Sequence, residues 1–385
     1  MKRAGKLCFV VLLSVSSLTG CWDLREPNQL AFITGAALDI TSDGQVEVSS
    51  QIAIPAVIGG GQEANGGGEN KKSFYVASAK GKNIMDAGQI LQTKLSRQLF
   101  YGHRQVILIG QTMAEYGIGR FIDMFIRNPQ SELRSTIYVV KDGQAKDILS
   151  MQPIFDPYTA MALVNEQASL HMKAYYYRDF LSDALSQGTH PLLPAVSLTP
   201  SKKYVYTGTA VLNKDNGLKL VGFLNTNESY YVNWITDRLK GFTITSSVKK
   251  GNGNVSLQLQ SLSRRIKLKT VEDRMQMEVS LTGKGMIVEN NSSLDPAIPK
   301  DLRVIEDELG KEAQQSVEQL VANAQKQYKL DIFGFGEVIH QQYPRLWISM
   351  KEEWNKMFPE LPISVKVELQ CKDPGQTTSS VKVLP

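Results

Sequence analysis

The chain has 385 residues, enough for two or three domains with cores of their own, and its 43 basic and 38 acidic side chains give a formal charge of +5. Three of the basic residues, Lys2, Arg3 and Lys6, lie in an N-terminal segment with the marks of a cleaved signal; without them the charge is +2, too small for a nucleic-acid footprint. Of the cysteines, Cys8 falls in that segment and Cys21 at its end, so Cys371 is left without an internal disulfide partner.

Behind the three basic residues an apolar run extends from Leu7 to Leu18, interrupted only by serines. A run of that length is too short to span a bilayer and has the form of a signal-peptide core. Thr19 and Gly20 are small enough to lie extended in a peptidase cleft, and Cys21 offers a thiol for diacylglyceryl transfer. The order Leu18-Thr19-Gly20-Cys21 resembles a bacterial lipobox. It implies a signal peptide over 1–20, cleavage between Gly20 and Cys21, and diacylglycerol and N-acyl chains on Cys21. Two or three acyl chains hold a protein firmly, at roughly 0.8 kcal/mol per buried CH₂. Residues 21–29 then form a lipid-proximal linker whose Trp22 suits either the headgroup layer or the domain surface.

Strand patterns begin at Leu30, over 31–40 and then at Val46, Val48, Ile52 and Ile54, turned by Ser42-Asp43-Gly44. The glycine-rich stretch 59–68 lies before Lys71, Lys72 and Ser73. It is not a P-loop, because Asn70 stands where glycine must precede the Lys-Ser pair, and it reads as a surface loop. A strand over 73–79 follows, then helical spacing over 83–100. Residues 105–109 form a continuous apolar run, as in a strand buried on both faces. A helix over 112–127, a strand over 134–141, a short helix over 145–150 and helices over 157–172 and 175–186 complete an N-terminal α/β region, 30–195. Tyr175, Tyr176 and Tyr177 beside Arg178 read as packing aromatics.

The breakers from Gly188 to Pro200 mark a boundary, after which a C-terminal antiparallel-sheet domain is expected over 203–371. Asn216-Gly217 between 204–212 and 218–224 signals a hairpin. A helix over 228–240 precedes alternating strands from Phe242 to Leu281. Leu302, Ile305, Leu309, Ala313, Val317, Leu320, Val321, Ala324, Tyr328 and Ile332 form the apolar stripe of a long helix laid across that sheet. A last helix from Pro344 carries Trp347 and Trp354, a strand runs from Ile363 to Cys371, and 372–385 reads as a tail. The fold class is thus mixed α/β and α+β, in two to three lobes, each a mixed or antiparallel sheet packed with helices.

Catalytic patterns are absent from the sequence. His103, His171, His190 and His340 lack metal-ligand spacing, no Gly-x-Ser-x-Gly elbow occurs, and Gly334-Phe335-Gly336 lacks the third glycine of a dinucleotide fingerprint. Several segments, in order, resemble the Ger(x)C family of spore germination lipoproteins: Cys21-Trp22-Asp23 with Arg25-Glu26; Tyr101-Gly102-His103; residues 122–129 into Leu133-Arg134; residues 208–211 with 222–225 and Glu228; and residues 331–337 with His340 and Tyr343-Pro344. The resemblance covers nearly the whole mature chain, with the glycine-rich insert as a departure.

It implies a non-enzymatic subunit of a nutrient germinant receptor, needing no cofactor beyond its lipid. That subunit is held on the outer face of the spore inner membrane beside two integral-membrane partners, the A and B subunits, and acts in assembly or signal coupling. Two rivals share the anchor: an extracytoplasmic solute-binding lipoprotein of a transporter, with a cleft between two α/β lobes, and a lipoprotein hydrolase, which the sparse histidines and missing nucleophile motifs count against. Within the Asp331 to Pro344 segment, Phe333, Phe335, Glu337 and His340 are the candidate partner surface. The competing expectation there is a helix-to-helix corner whose rings fill the core.

Overall fold

The computed structural model describes residues 26–55, 72–127, 132–272 and 274–373. The lipobox with Gly20 and Cys21, Trp22, the glycine-rich insert and most of the tail lie outside them. Nine strands form the larger sheet: β1 (Leu30–Ile40), β2 (Val46–Ala53), β3 (Phe74–Gly81), β4 (Gln98–Phe100), β5 (Val106–Gly110), β6 (Thr136–Lys141), β7 (Leu192–Leu198), β8 (Tyr204–Asn213) and β9 (Lys219–Leu224). Their order is β3-β2-β1-β5-β6-β7-β8-β9, with β4 also paired to β1. The four central strands β1, β5, β6 and β7 are parallel, β4 also runs parallel to β1, and β2, β3, β8 and β9 pair antiparallel. All five residues of β5 are buried, as an apolar run between two helical layers requires.

The connecting helices are α1 (Ile84–Gln92), α2 (Gln111–Tyr116), α3 (Gly119–Arg127), α4 (Ala145–Leu149), α5 (Thr159–Ser169) and α6 (Tyr177–Leu185). Two differ from the sequence expectation. The helix expected to reach residue 100 ends at Gln92, because 98–100 join the sheet beside β1. The helix expected over 112–127 is broken at Gly117, whose φ of 110° no α-helix contains.

The expected join at 195–203 falls on the β7–β8 hairpin, paired from Leu192↔Val211 to Leu198↔Tyr204. The segment after it therefore gives two strands to the larger sheet before starting the second. That sheet holds β10 (Phe242–Val248), β11 (Gly253–Val271), β12 (Arg274–Asn290) and β13 (Ile363–Asp373), in that order. The expectation of an antiparallel sheet needs correction here, since β13 runs parallel to β12. The reason is topological: a long crossover through the helices separates the two strands, and only such a connection returns a chain in the same direction. Lys372 and Asp373, expected in the tail, belong to β13.

Helix α7 (Thr226–Ile235) stands between the sheets, and α8 (Pro299–Asn323) lies across β10 and β13, continuing as one π-turn over Ala324–Tyr328. The buried stripe of α8 is Ile305, Leu309, Ala313, Val317, Leu320 and Val321, as its period predicts. After it come α9 (Phe335–Gln342), α10 (Pro344–Met350) and α11 (Trp354–Met357). One hydrophobic core runs through both sheets, joining Leu192, Tyr206 and Leu224 to Trp234, Leu257, Leu309 and Phe335. Cys371 is a free thiol, half-buried beside that core, and burial raises its pKa. No helix among the described residues is long and apolar enough to cross a membrane.

Candidate functional site

The segment from Asp331 to Pro344 forms the seam between the two sheets. Asp331 is 1 % exposed and its carboxylate is surrounded by donors. Oδ1 accepts from the backbone N–H of Phe333 (3.0 Å) and Gly334 (2.9 Å), and Oδ2 from the N–H of Gly336 (2.8 Å) and from Trp354 Nε1 (3.2 Å). Gly334, with φ 77°, is the N-cap of α9, so Asp331 satisfies first-turn amides that no intrahelical partner can reach. The same residue's carbonyl accepts from His190 N (2.8 Å), and the Gly188 carbonyl accepts from Glu337 N (3.2 Å). The first turn of α9 is therefore clamped to the chain entering β7.

Phe333 and Phe335 are 2 % and 0 % exposed, stacked on each other with centroids 5.2 Å apart. As members of the candidate partner surface they are corrected: both rings fill the core beside Phe358 and Trp354. The reason is that residues 331–334 form a turn, so the rings' alternation does not hold them out to solvent. Glu337 and His340 do share an outer face. Glu337 Oε2 accepts from Ser186 Oγ (2.7 Å) and lies 3.7 Å from His340 Nδ1, whose ring stacks on buried Trp347. Partial burial would raise the Glu337 carboxyl, but hydrogen bonds from Ser186 and Gln341 outweigh it and hold the group below its usual pKa.

Sequence reading missed the opposite wall of the seam. Buried His190 accepts from Lys214 N at Nδ1 (3.3 Å), which leaves Nε2 to donate towards Asn355 Oδ1 (3.5 Å). Burial pulls this imidazole down to about 4, so it is neutral in the fold. Lys214 Nζ donates to the Ser186 carbonyl, Asn355 Nδ2 to Asp215 (2.7 Å), and Trp347 Nε1 to Gln187 (3.4 Å). The local signal was the Gly188-Thr189-His190-Pro191 breaker, which reads as a boundary; nothing local says that it meets Gly336.

The remaining histidines lie elsewhere: His103 against Phe32 and Phe100, His171 in a left-handed turn after α5. Among the described residues no group of His, Cys, Asp and Glu is placed to hold a metal. The arrangement at the seam is a packed corner whose partly exposed outer edge carries Glu337 and His340.

Two family models match the chain in tandem. One is described as the spore germination protein N-terminal domain and covers 23–198; the other, spore germination B3/GerAC like, C-terminal, covers 207–375. Similar curated proteins from Bacillus subtilis (strain 168) include the putative spore germination protein YfkR, 27% identical over 95% of each chain, and spore germination protein KC, 28% identical over 99% of this chain and 98% of the other. Spore germination protein B3 is 25% identical over 94% and 95%. The crystal structure of the GerBC protein shares the fold, with a TM-score of 0.56 at 20% identity, covering 91% of this chain and 100% of that one.

Proposed function

We infer the role of this chain from its family, since it belongs to the GerAC-like spore germination proteins. Within that family we propose that it is the lipid-anchored subunit of a nutrient germinant receptor. It would sit on the extracytoplasmic face of the spore inner membrane and act in assembly or signal coupling with integral-membrane A and B subunits, without catalysis. The observation that carries this reading is the tandem match of both family models, in order, over nearly the whole chain after the lipobox. The solute-binding alternative finds no support at the seam. Where a cleft between lobes would open, Phe333, Phe335, Trp347 and Trp354 pack together.

The partner contact is assigned to the exposed edge of α9. Glu337→Ala with His340→Ala removes the carboxylate and the imidazole but only one strong seam bond, from Ser186, so stability should fall by about 1 kcal/mol. Recovery of the A and B subunits from mild-detergent extracts should drop several-fold. Wild-type recovery of both partners by a folded double variant would reduce the segment to a corner.

The anchor is tested separately. Cys21→Ala should leave the precursor uncleaved and unlabelled by radioactive palmitate, with nutrient germination impaired. Normal processing, or full germination without lipid, would overturn the lipobox assignment.

A further inference from the structure

Far from the seam, a cavity of about 260 Å³ lies between α1, α3 and the strands β1, β2 and β4. Leu38, Ile84, Leu99 and Met124 give it apolar walls, and Met85, Gln89 and Gln98 are exposed at its rim. Arg104 is the one charged side chain among the described lining residues. It is 3 % exposed; Nε donates to Ser135 Oγ (3.3 Å), the guanidinium lies 4.8 Å over the Phe125 ring, and Nη2 is buried with no hydrogen-bond partner among the described residues.

No carboxylate forms an ion pair with Arg104 among the described residues, although Glu132 acts on it from further off. Burial lowers its pKa to about 10, so it stays cationic at neutral pH. A buried cation without a counter-ion is costly, and a buried donor without an acceptor adds to the cost. An anion in the cavity relieves both. The rest of the wall selects which anion. Apart from Gln89, Gln92, Gln98 and Tyr101 it is apolar, and no acidic side chain among the described lining residues is placed to take an ammonium group, so a zwitterion would leave its positive end without a counter-charge. A cavity of about 150 Å³ holds benzene, so this volume suits a molecule of about ten non-hydrogen atoms.

We propose that this cavity binds a small apolar monocarboxylate, with the carboxylate on the Arg104 guanidinium and the hydrocarbon body against Leu38, Ile84, Leu99 and Met124. Gly88 on α1 also lines the cavity, and the nearest atom to a Cβ built there is Tyr101 Oη at 3.7 Å. A longer side chain at that position has room to enter the space without displacing backbone.

The test is calorimetric titration of the full-length protein in phosphatidylcholine nanodiscs, with empty nanodiscs subtracted, using octanoate, 1-octanol and L-leucine. Octanoate should bind at least tenfold more tightly than either of the others. Arg104→Gln should abolish the preference for octanoate over 1-octanol, and Gly88→Leu should abolish binding of both in a protein that melts as the wild type does. Equal affinity for octanoate and 1-octanol, octanoate binding no tighter than L-leucine, a preference surviving in Arg104→Gln, or no octanoate binding at millimolar concentration would each overturn the proposal. Should Arg104→Gln fail to fold, the wild-type ligand series and Gly88→Leu still decide it.

Discussion

Asp331→Ala is expected to cost the fold about 4 kcal/mol and to change how its stability responds to acid. Removing the carboxylate strands three backbone amides, of Phe333, Gly334 and Gly336, and the Trp354 indole N–H, all inside the core. Each unsatisfied buried donor costs about 1–3 kcal/mol, and because the four share one site their losses do not simply add. Urea unfolding should show the loss as a lowered midpoint. A loss below about 1 kcal/mol would mean that the corner relaxes and lets water replace the carboxylate.

At the seam the acid response follows from two groups with opposite signs. Burial raises the Asp331 carboxyl to about 6 despite its donors, from 3.8. The fold then binds a proton that the unfolded chain lacks, so this contribution is complete below about pH 4 and lost as pH rises through 6. His190 is lowered from 6.5 to about 4, so in that window the unfolded chain takes a proton that the fold refuses, and stability falls as pH falls. In the wild type the two contributions offset one another between about pH 4 and 6.5. In Asp331→Ala the seam keeps only the histidine, while Glu166, which burial raises to about 7, acts alike in both proteins, so the gap in urea midpoint between wild type and variant should widen as pH falls from about 6 to 4. A gap that stays constant across that range would show that burial does not raise the Asp331 carboxyl.

Gly188→Ala should destabilise by about 3 kcal/mol, because its Cβ would overlap the backbone nitrogen of Glu337 and the carbonyl carbon of Gly336 and come within 2.9 Å of Glu337 Cα. None of these atoms can yield without tearing the first turn of α9 from Asp331. Gly336→Ala meets the same gap from the other side, at 2.8 Å from both Gly188 Cα and Trp354 Nε1. Since either methyl opens one shared seam, the double variant should lose clearly less than the sum of the singles. Gly143→Ala, whose nearest neighbour would be 3.8 Å away, serves as control and should stay within about 0.5 kcal/mol. Additive losses, or a mild Gly188→Ala, would mean that the two glycines do not meet in solution.

Much of the architecture was legible in the residues, because hydrophobic period reports on burial within one element. Residues 106–109 of the apolar run lie in the fully buried central strand of the larger sheet, Asn216-Gly217 turns a hairpin, and the four-residue steps from Leu309 mark the buried face of α8. The in-order family segments likewise pointed to the family that both models match. What periodicity cannot report is which distant segment an element meets. Leu95 and its neighbours fit a helix until β1 offers Gln98–Phe100 a strand edge. Phe333 and Phe335 read as partner surface or as core plug until Trp354 and Phe358 close over them. Gly188 and Gly336 each look like a breaker, and only the fold makes them one contact. Arg104 carries no local mark of burial beside Gly102 and His103. It was the sheet, together with α1 and α3, that enclosed its guanidinium and left it without an anion.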